Sequence, residues 1–300
     1  MASLDFYIWT PWYADPIEKP FAYSQLQVEG DETPSPSDRP FTFRSTDLIH
    51  DHSTRVYRGI FTGRDGQEIN AVCKFVREAG PKASRRFHHE AKMYQTKLRD
   101  LQGHCIPRFY GLYSGQFFGN LSMCIILEDC GECVGSYDSL SMDWRRRAVE
   151  VLMAIHKRGV RHNDYKPRNL VVDNKENPTR LVAIDFEYAS LHECNPGADI
   201  ELYAFPPAMS DFHCDELYDV ADFTRIWTPD ILCIFGEFVR IDWFSTPEEL
   251  LAVAPDYDDL YEYDEALSRA KAAIRDYNRR WDSRKDYMLG NVREVLSPAM

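Results

Sequence analysis

From residue 41 the chain alternates short apolar runs with polar turns. Phe41-Thr42-Phe43 and Val56 to Phe61 read as strands, Arg64-Asp65-Gly66 supplies a tight turn, and Ile69 to Val76 reads as the returning strand. Residues 82–101 read as a helix, because Phe87, Ala91, Tyr94 and Leu98 recur at spacings of four, three and four. Pro107 to Tyr113 and Leu121 to Leu127 are two further strand candidates. Beyond them, residues 143–158 place Trp144, Ala148, Val151, Leu152 and Ile155 on one helical face, and Gly159 ends the run. Leu170 to Asp173 and Leu181 to Ile184 read as short strands around the turn 174–178, and helices are expected at about 214–225, 229–240 and 264–282. Residues 1–40 look different: TPSPSDRP at 33–40 reads as a loop, while Tyr7, Trp9 and Trp12 suggest a segment that packs against something.

Composition narrows the function classes. The 300 residues carry 35 Lys plus Arg against 48 Asp plus Glu, a formal net charge of −13. A basic footprint for the phosphate backbone is therefore missing, and nucleic acid is not expected as a partner. The longest unbroken apolar runs, such as Val151 to Ile155 and Leu250 to Ala254, are only five residues long, against roughly 18 or more for a membrane span. Residues 1–15 hold Asp5 and Asp15 but no Lys or Arg, unlike the basic start of a signal peptide. With a mean hydropathy of −0.46, these features read as a soluble, cytoplasmic protein. The acidic run Asp256 to Glu265 reads as a solvated face.

Eight cysteines are dispersed through apolar segments and are expected to be reduced thiols packed as small hydrophobes. Cys130 and Cys133 form one C-x-x-C without a second, and His192, Cys194, His213 and Cys214 follow no zinc-ligand spacing.

The most informative stretch is His162-Asn163-Asp164-Tyr165-Lys166-Pro167-Arg168-Asn169, followed by Ile184-Asp185-Phe186-Glu187-Tyr188. Phosphoryl transfer from ATP requires a base for the attacking hydroxyl, hard oxygen ligands for Mg²⁺ and a cation for the migrating group. Asp164 can be the base, Lys166 the cation, and Asn169 and Asp185 the Mg²⁺ ligands.

HNDYKPRN followed by DFE resembles the catalytic loop and metal-binding motif of the protein-kinase-like superfamily. Ala71-Val72-Cys73-Lys74 resembles that superfamily's V-A-I-K strand, Glu90 in the next helix fits the ion-pair partner, and Glu128 to Gly131 falls where the hinge should be. The order and separations hold over residues 41–190, roughly half the chain. The resemblance implies an α+β, bilobal, protein-kinase-like fold with a small β-rich N-lobe and a larger α-helical C-lobe. It divides the chain into an N-terminal extension (1–40), an N-lobe (41–130) and a C-lobe (131–300). It further implies that Asp164 is the catalytic base assisted by Lys166, and that Asn169 and Asp185 hold Mg²⁺. Lys74, oriented by Glu90, would contact the nucleotide phosphates, Glu128 and Cys130 would line the nucleotide site, and His162 would support the loop. ATP is the implied cofactor and a hydroxyl group, on a protein or a small molecule, the implied acceptor.

Three departures keep a second function class open. Glu187 stands where the motif has glycine, and DFEY is closer to choline-kinase-like and aminoglycoside-phosphotransferase-like enzymes. No A-P-E follows Asp185, and Ala189 to Cys194 is similar to a group of uncharacterised fungal kinase-like proteins. Leu48 to Val56 aligns with the phosphate-covering loop but has no glycine, so backbone N–H groups lose their close approach to phosphates, and Asp51 adds charge of the wrong sign. A pseudokinase acting as a binding or scaffold module is the alternative to an active phosphotransferase.

Overall fold

A computed structural model describes residues 3–8, 20–26, 40–254 and 261–299. Trp9, Trp12, most of the loop at 33–40 and residues 256–260 of the acidic run lie outside the described residues. The chain divides into two compact units: Met1–Ser139 with Glu150–Cys194 and Pro298–Met300, and Leu140–Val149 with Asn195–Ser297.

The first unit is built on seven strands: β1 (Ser3–Tyr7), β2 (Phe21–Gln25), β3 (Phe41–Asp51), β4 (Arg55–Thr62), β5 (Glu68–Val76), β6 (Phe109–Phe117) and β7 (Asn120–Glu128). They hydrogen-bond in the order β1-β2-β6-β7-β5-β4-β3 and close into a barrel, because β1 also pairs in parallel with β3. This closure overturns the expected bilobal, protein-kinase-like fold class. The physical reason lies in residues 1–40. Taken alone, β3 to β7 would leave β3 and β6 as open edges, with unpaired backbone groups. β1 runs along β3 with Leu4 opposite Phe41, and β2 runs antiparallel to β6 with Tyr23 opposite Gly115, so the two strands of the expected extension join those edges. The second half is not uniformly helical either, since short strands are distributed through it between residues 132 and 240.

Period-two alternation fills the barrel. Leu4 and Phe6 of β1, Tyr23 of β2, Phe43 of β3, Tyr57 and Phe61 of β4, and Ala71, Cys73 and Phe75 of β5 all belong to one buried cluster. Phe6 stacks on Phe43 and Phe75, with ring centroids 5.7 and 5.4 Å apart, and meets Tyr23 edge-on at 5.3 Å. The Tyr23 hydroxyl lies 2.5 Å from Ser122 Oγ and ties β2 to β7. A Cβ on Gly115 would sit 2.6 Å from the Ala22 carbonyl, so the β2–β6 seam closes only over a residue without a side chain.

Helix α1 (Pro81–Gln95) follows β5, with Pro81 pre-organised in its first turn. Also in this unit are β8 (Glu132–Cys133), the portion of α2 (Met142–Lys157) from Glu150 onward, β9 (Val160–Arg161), β10 (Leu170–Val172), β11 (Leu181–Ala183) and β12 (Ser190–Leu191). They form a three-stranded sheet in the order β11-β10-β8 and the pair β12-β9.

The second unit holds α3 (Asp215–Phe223), β13 (Ile231–Ile234), β14 (Glu237–Arg240), α4 (Pro247–Val253) and α5 (Tyr263–Trp281). The helix expected at 229–240 is instead the β13–β14 hairpin. Ile231 to Ile234 alternate exposed and buried, and Phe235 and Gly236 both take positive φ, 55° and 89°, as a two-residue hairpin turn requires. Leu232, Ile234 and Val239 of the hairpin pack with Leu250 and Leu251 of α4 and Ala266 and Ala270 of α5. Thr246 and Glu249 cap α4 reciprocally. Among the described residues no helix is long and apolar enough to cross a membrane.

All eight cysteines are free thiols. Cys73, Cys105, Cys124, Cys130 and Cys214 are buried as expected, but Cys133 and Cys233 are exposed and Cys194 is half-buried.

If β1 closes the barrel by filling its core, Phe6→Ala should cost about 3–5 kcal/mol in denaturant unfolding, the range for truncating a buried aromatic. A loss under about 1 kcal/mol, the range of ordinary surface substitutions and mild changes, would show that β1 is not part of the cooperative unit.

Candidate active site

The site lies within the first unit and grows from β5. Ala71, Cys73 and Phe75 point into the barrel, so the alternation turns Lys74 to the opposite face, toward α1. Lys74 Nζ lies 2.7 Å from Glu90 Oε2, 2.5 Å from Asp185 Oδ1 and 3.4 Å from Glu187 Oε2. Glu90 is 1% exposed, and Arg86 reaches Glu187 at 3.7 Å.

One face of α1 makes these contacts, at helical spacing. Arg86 also covers the Tyr188 ring at 4.9 Å, His89 Nε2 lies 2.6 Å from the Ala189 carbonyl, Glu90 meets Lys74, and Tyr94 meets Phe186 edge-on at 5.4 Å. The polar character of this face therefore has specific partners in the segment 185–189.

Charge is unbalanced here. Burial alone would push the Lys74 ammonium down, but Glu90, Asp185 and Glu187 together outweigh it and hold its pKa above that of an ordinary lysine. Burial pushes the Glu90 carboxyl up; Lys74 opposes this, while Asp185 and Glu187 add to it. Both directions have one origin: three carboxylates face one ammonium in a poorly hydrated place, so protons are held on both types of group. Glu90 Oε1 is buried without a hydrogen-bond partner among the described residues. Glu90, Asp185 and Glu187 offer oxygens within 4.8 Å of one another, a donor set that could hold a metal ion.

The loop 162–169 forms the neighbouring part. His162 donates from Nε2 to the Ile184 carbonyl at 3.0 Å and accepts the Asp164 backbone N–H on Nδ1 at 3.3 Å, which fixes a neutral tautomer. Asn169 Nδ2 donates to the Asp164 carbonyl at 2.8 Å and to Asp164 Oδ2 at 3.0 Å. The Ile184 N–H donates to the Asn169 carbonyl at 2.9 Å, and Asn163 Nδ2 donates to the Tyr188 carbonyl at 2.9 Å. Asn163 and Asp185 both hold positive φ, 64° and 68°, in the left-handed region that asparagine and aspartate tolerate better than most side chains. Arg168 Nη2 contacts both Asp164 carboxylate oxygens at 2.8 and 2.7 Å, and Lys166 Nζ lies 3.2 Å from Oδ1. Burial would raise the Asp164 pKa, but Arg168 and Lys166 bring it below the ordinary aspartate value.

The residues singled out from sequence thus fall into three groups. Lys74, Glu90 and Asp185 form one cluster, and Asp164, Lys166 and Asn169 form a second, stitched to the first through His162 and the backbone at Ile184. Glu128 and Cys130 belong to a third, around Arg180. Arg180 Nη2 lies 2.7 Å from Glu128 Oε1 and 3.2 Å from Cys130 Sγ. Burial, with Glu128 beside it, pushes the Cys130 thiol up to about 12, which makes it a poor thiolate nucleophile at neutral pH. Sequence reasoning missed Glu187 as a member of the Lys74 cluster: Asp185 is left-handed at φ 68° and Glu187 enters a turn, a local geometry that residue spacing does not announce. The partnerships of Arg168 and Arg180 carried no sequence signal.

At the aligned phosphate loop, β3 and β4 continue to Asp51 and from Arg55, and Arg55 Nε closes the turn onto Asp51 Oδ1 at 2.7 Å. Comparison with known protein families finds no family that matches this chain, and comparison with curated proteins finds no match.

Glu90 makes stability depend on pH. Because its native pKa lies above the ordinary 4.5, its contribution is complete below about pH 4.5 and is lost as pH rises through the native value. Unfolding of the wild type and of Glu90→Gln, followed from pH 4.5 to neutrality, should show the wild type losing stability relative to the variant as pH rises. The opposite slope would mean that Lys74 alone governs Glu90.

Proposed function

We propose that the chain is an ATP- and Mg²⁺-dependent phosphotransferase that moves the γ-phosphoryl group to a hydroxyl acceptor, on protein Ser/Thr or on a small molecule. The reading rests on side chains and not on the fold. The observation that carries it is Lys74, a nearly buried ammonium held by Glu90 and Asp185 next to the Asp164–Asn169 loop. A fixed cation beside carboxylates, with a second carboxylate nearby, is the donor set that phosphoryl transfer uses.

Each residue takes a role its surroundings favour. Lys74 binds the α- and β-phosphates, and Glu90 keeps its ammonium in place. Asp185 and Asn169 would hold Mg²⁺, which when bound would supply positive charge against the phosphate oxygens. The hard oxygens of Glu90, Asp185 and Glu187, with Glu90 Oε1 unpartnered among the described residues, fit a divalent cation and would relieve the surplus negative charge around Lys74. Asp164, ionised at neutral pH, accepts the proton of the attacking hydroxyl at a carboxylate oxygen, and Asn169 Nδ2 orients it. Lys166 and Arg168, both well exposed, can leave Asp164 for the migrating group at little cost. Glu128 and Cys130 are assigned to the nucleotide site.

A second reading, a pseudokinase-like binding module, is favoured by one feature. The turn Asp51–Arg55 is closed by its own ion pair and contains no glycine to bring backbone N–H groups onto phosphates.

ADP release from Mg-ATP, measured with a panel of small hydroxyl compounds and generic protein substrates, separates the readings. Turnover is expected, and Asp164→Ala should lower it about 10²–10⁴-fold at unchanged thermal stability. No turnover with any acceptor, together with weak or undetectable nucleotide binding, would favour the binding module.

A further inference from the structure

A second group of ligating side chains lies in the first unit, sharing no residue with the Lys74 site. His156 is in the last turn of α2 and is 3% exposed. His192 and Cys194 follow β12 and are half-buried. Their positions are fixed by backbone pairing. β12 pairs with β9, with Leu191 opposite Val160, and the His192 N–H donates to the Gly159 carbonyl at 2.9 Å. Gly159, at φ 76°, makes the turn that brings β9 back from the end of α2.

The ligand atoms of these side chains all lie within 4.8 Å of one another. His156 Nδ1 is 3.2 Å from Cys194 Sγ, and the His156 and His192 rings meet edge-to-face with centroids 5.1 Å apart. A tetrahedral zinc with ordinary Zn–N and Zn–S bonds separates its ligand atoms by about 3.3–3.6 Å. The existing Nδ1–Sγ distance is therefore within a few tenths of an ångström of what the ion requires. Two imidazole nitrogens and one thiolate suit zinc, whereas magnesium and calcium select oxygen donors.

We propose that His156, His192 and Cys194 bind a zinc ion that staples the end of α2 to the chain leaving β12. His156 binds through Nδ1 and Cys194 as the thiolate. The thiol proton passes to solvent as the Zn–S bond forms, and both imidazoles bind neutral, so binding strengthens as pH rises. Water or a further nitrogen or oxygen ligand completes the coordination, which leaves Cys194 as the thiolate on the metal. The site is independent of the phosphotransferase reading, and its test does not use turnover.

The full chain, stripped with a chelator under reducing conditions, should be titrated with zinc and with cobalt(II). One equivalent of zinc should bind in competition with a chromogenic chelator, and zinc should raise the melting temperature of the stripped protein. The cobalt form should develop a thiolate-to-cobalt charge-transfer band with tetrahedral d–d absorption. The band should disappear in Cys194→Ser, zinc affinity should fall at least tenfold in His192→Ala, and Cys133→Ser should leave both unchanged. The wild-type cobalt spectrum needs no variant to fold: absence of the charge-transfer band overturns the proposal. A band that survives in Cys194→Ser, or is lost in Cys133→Ser, places the metal on another thiol and also overturns it.

Discussion

One nearly buried ammonium organises the first unit. Lys74 ties three segments distant in sequence: its own strand β5, helix α1 through Glu90, and the segment after β11 through Asp185 and Glu187. Its removal would leave three carboxylates facing each other with Glu90 almost wholly out of water. Breaking one side of a buried ion pair typically costs about 3–5 kcal/mol, because the remaining charge is left uncompensated. The cluster is therefore both a structural clamp and a reservoir of unbalanced negative charge. That second property makes it chemically useful, since a site already balanced would have no reason to take up a cation.

The barrel makes the clamp possible. β5 lies between β4 and β7, paired on both sides, with Lys74 opposite Val56 on one and Ile125 on the other. Its inward side chains are locked in an aromatic core, so the outward face that carries Lys74 has little freedom. Closure by β1 and β2 removes the open edges and completes that core around Phe6 and Tyr23. Sequence-distant strands thus fix a side chain they never touch.

What the sequence revealed and what it concealed follow the range of the interactions. The strands from 41 to 127, helix α1 and helix α2 are written in local periodicity, and the structure contains them. Lys74, Glu90 and Asp185 could be singled out because their chemistry is carried by short motifs, and the structure brings them together. Barrel closure was illegible: β2 pairs with β6 across some ninety residues, and nothing in Phe21 to Gln25 announces its partner. The β13–β14 hairpin was misread because the five-residue apolar run Ile231 to Phe235 satisfies a helix as well as a strand, and only the Phe235-Gly236 turn distinguishes them. His156 escaped notice for a third reason. A helical histidine paired with a thiol 38 residues later has no recognisable spacing.

Calorimetric titration of Mg-ATP into the wild type and into Lys74→Met, with circular dichroism establishing that both are folded, tests the role of this ammonium most directly. Saturable, Mg²⁺-dependent binding to the wild type is expected, with at least a tenfold weaker constant in the variant, a difference of about 1.4 kcal/mol or more. No binding to the wild type, or equal binding to both proteins, would contradict that role.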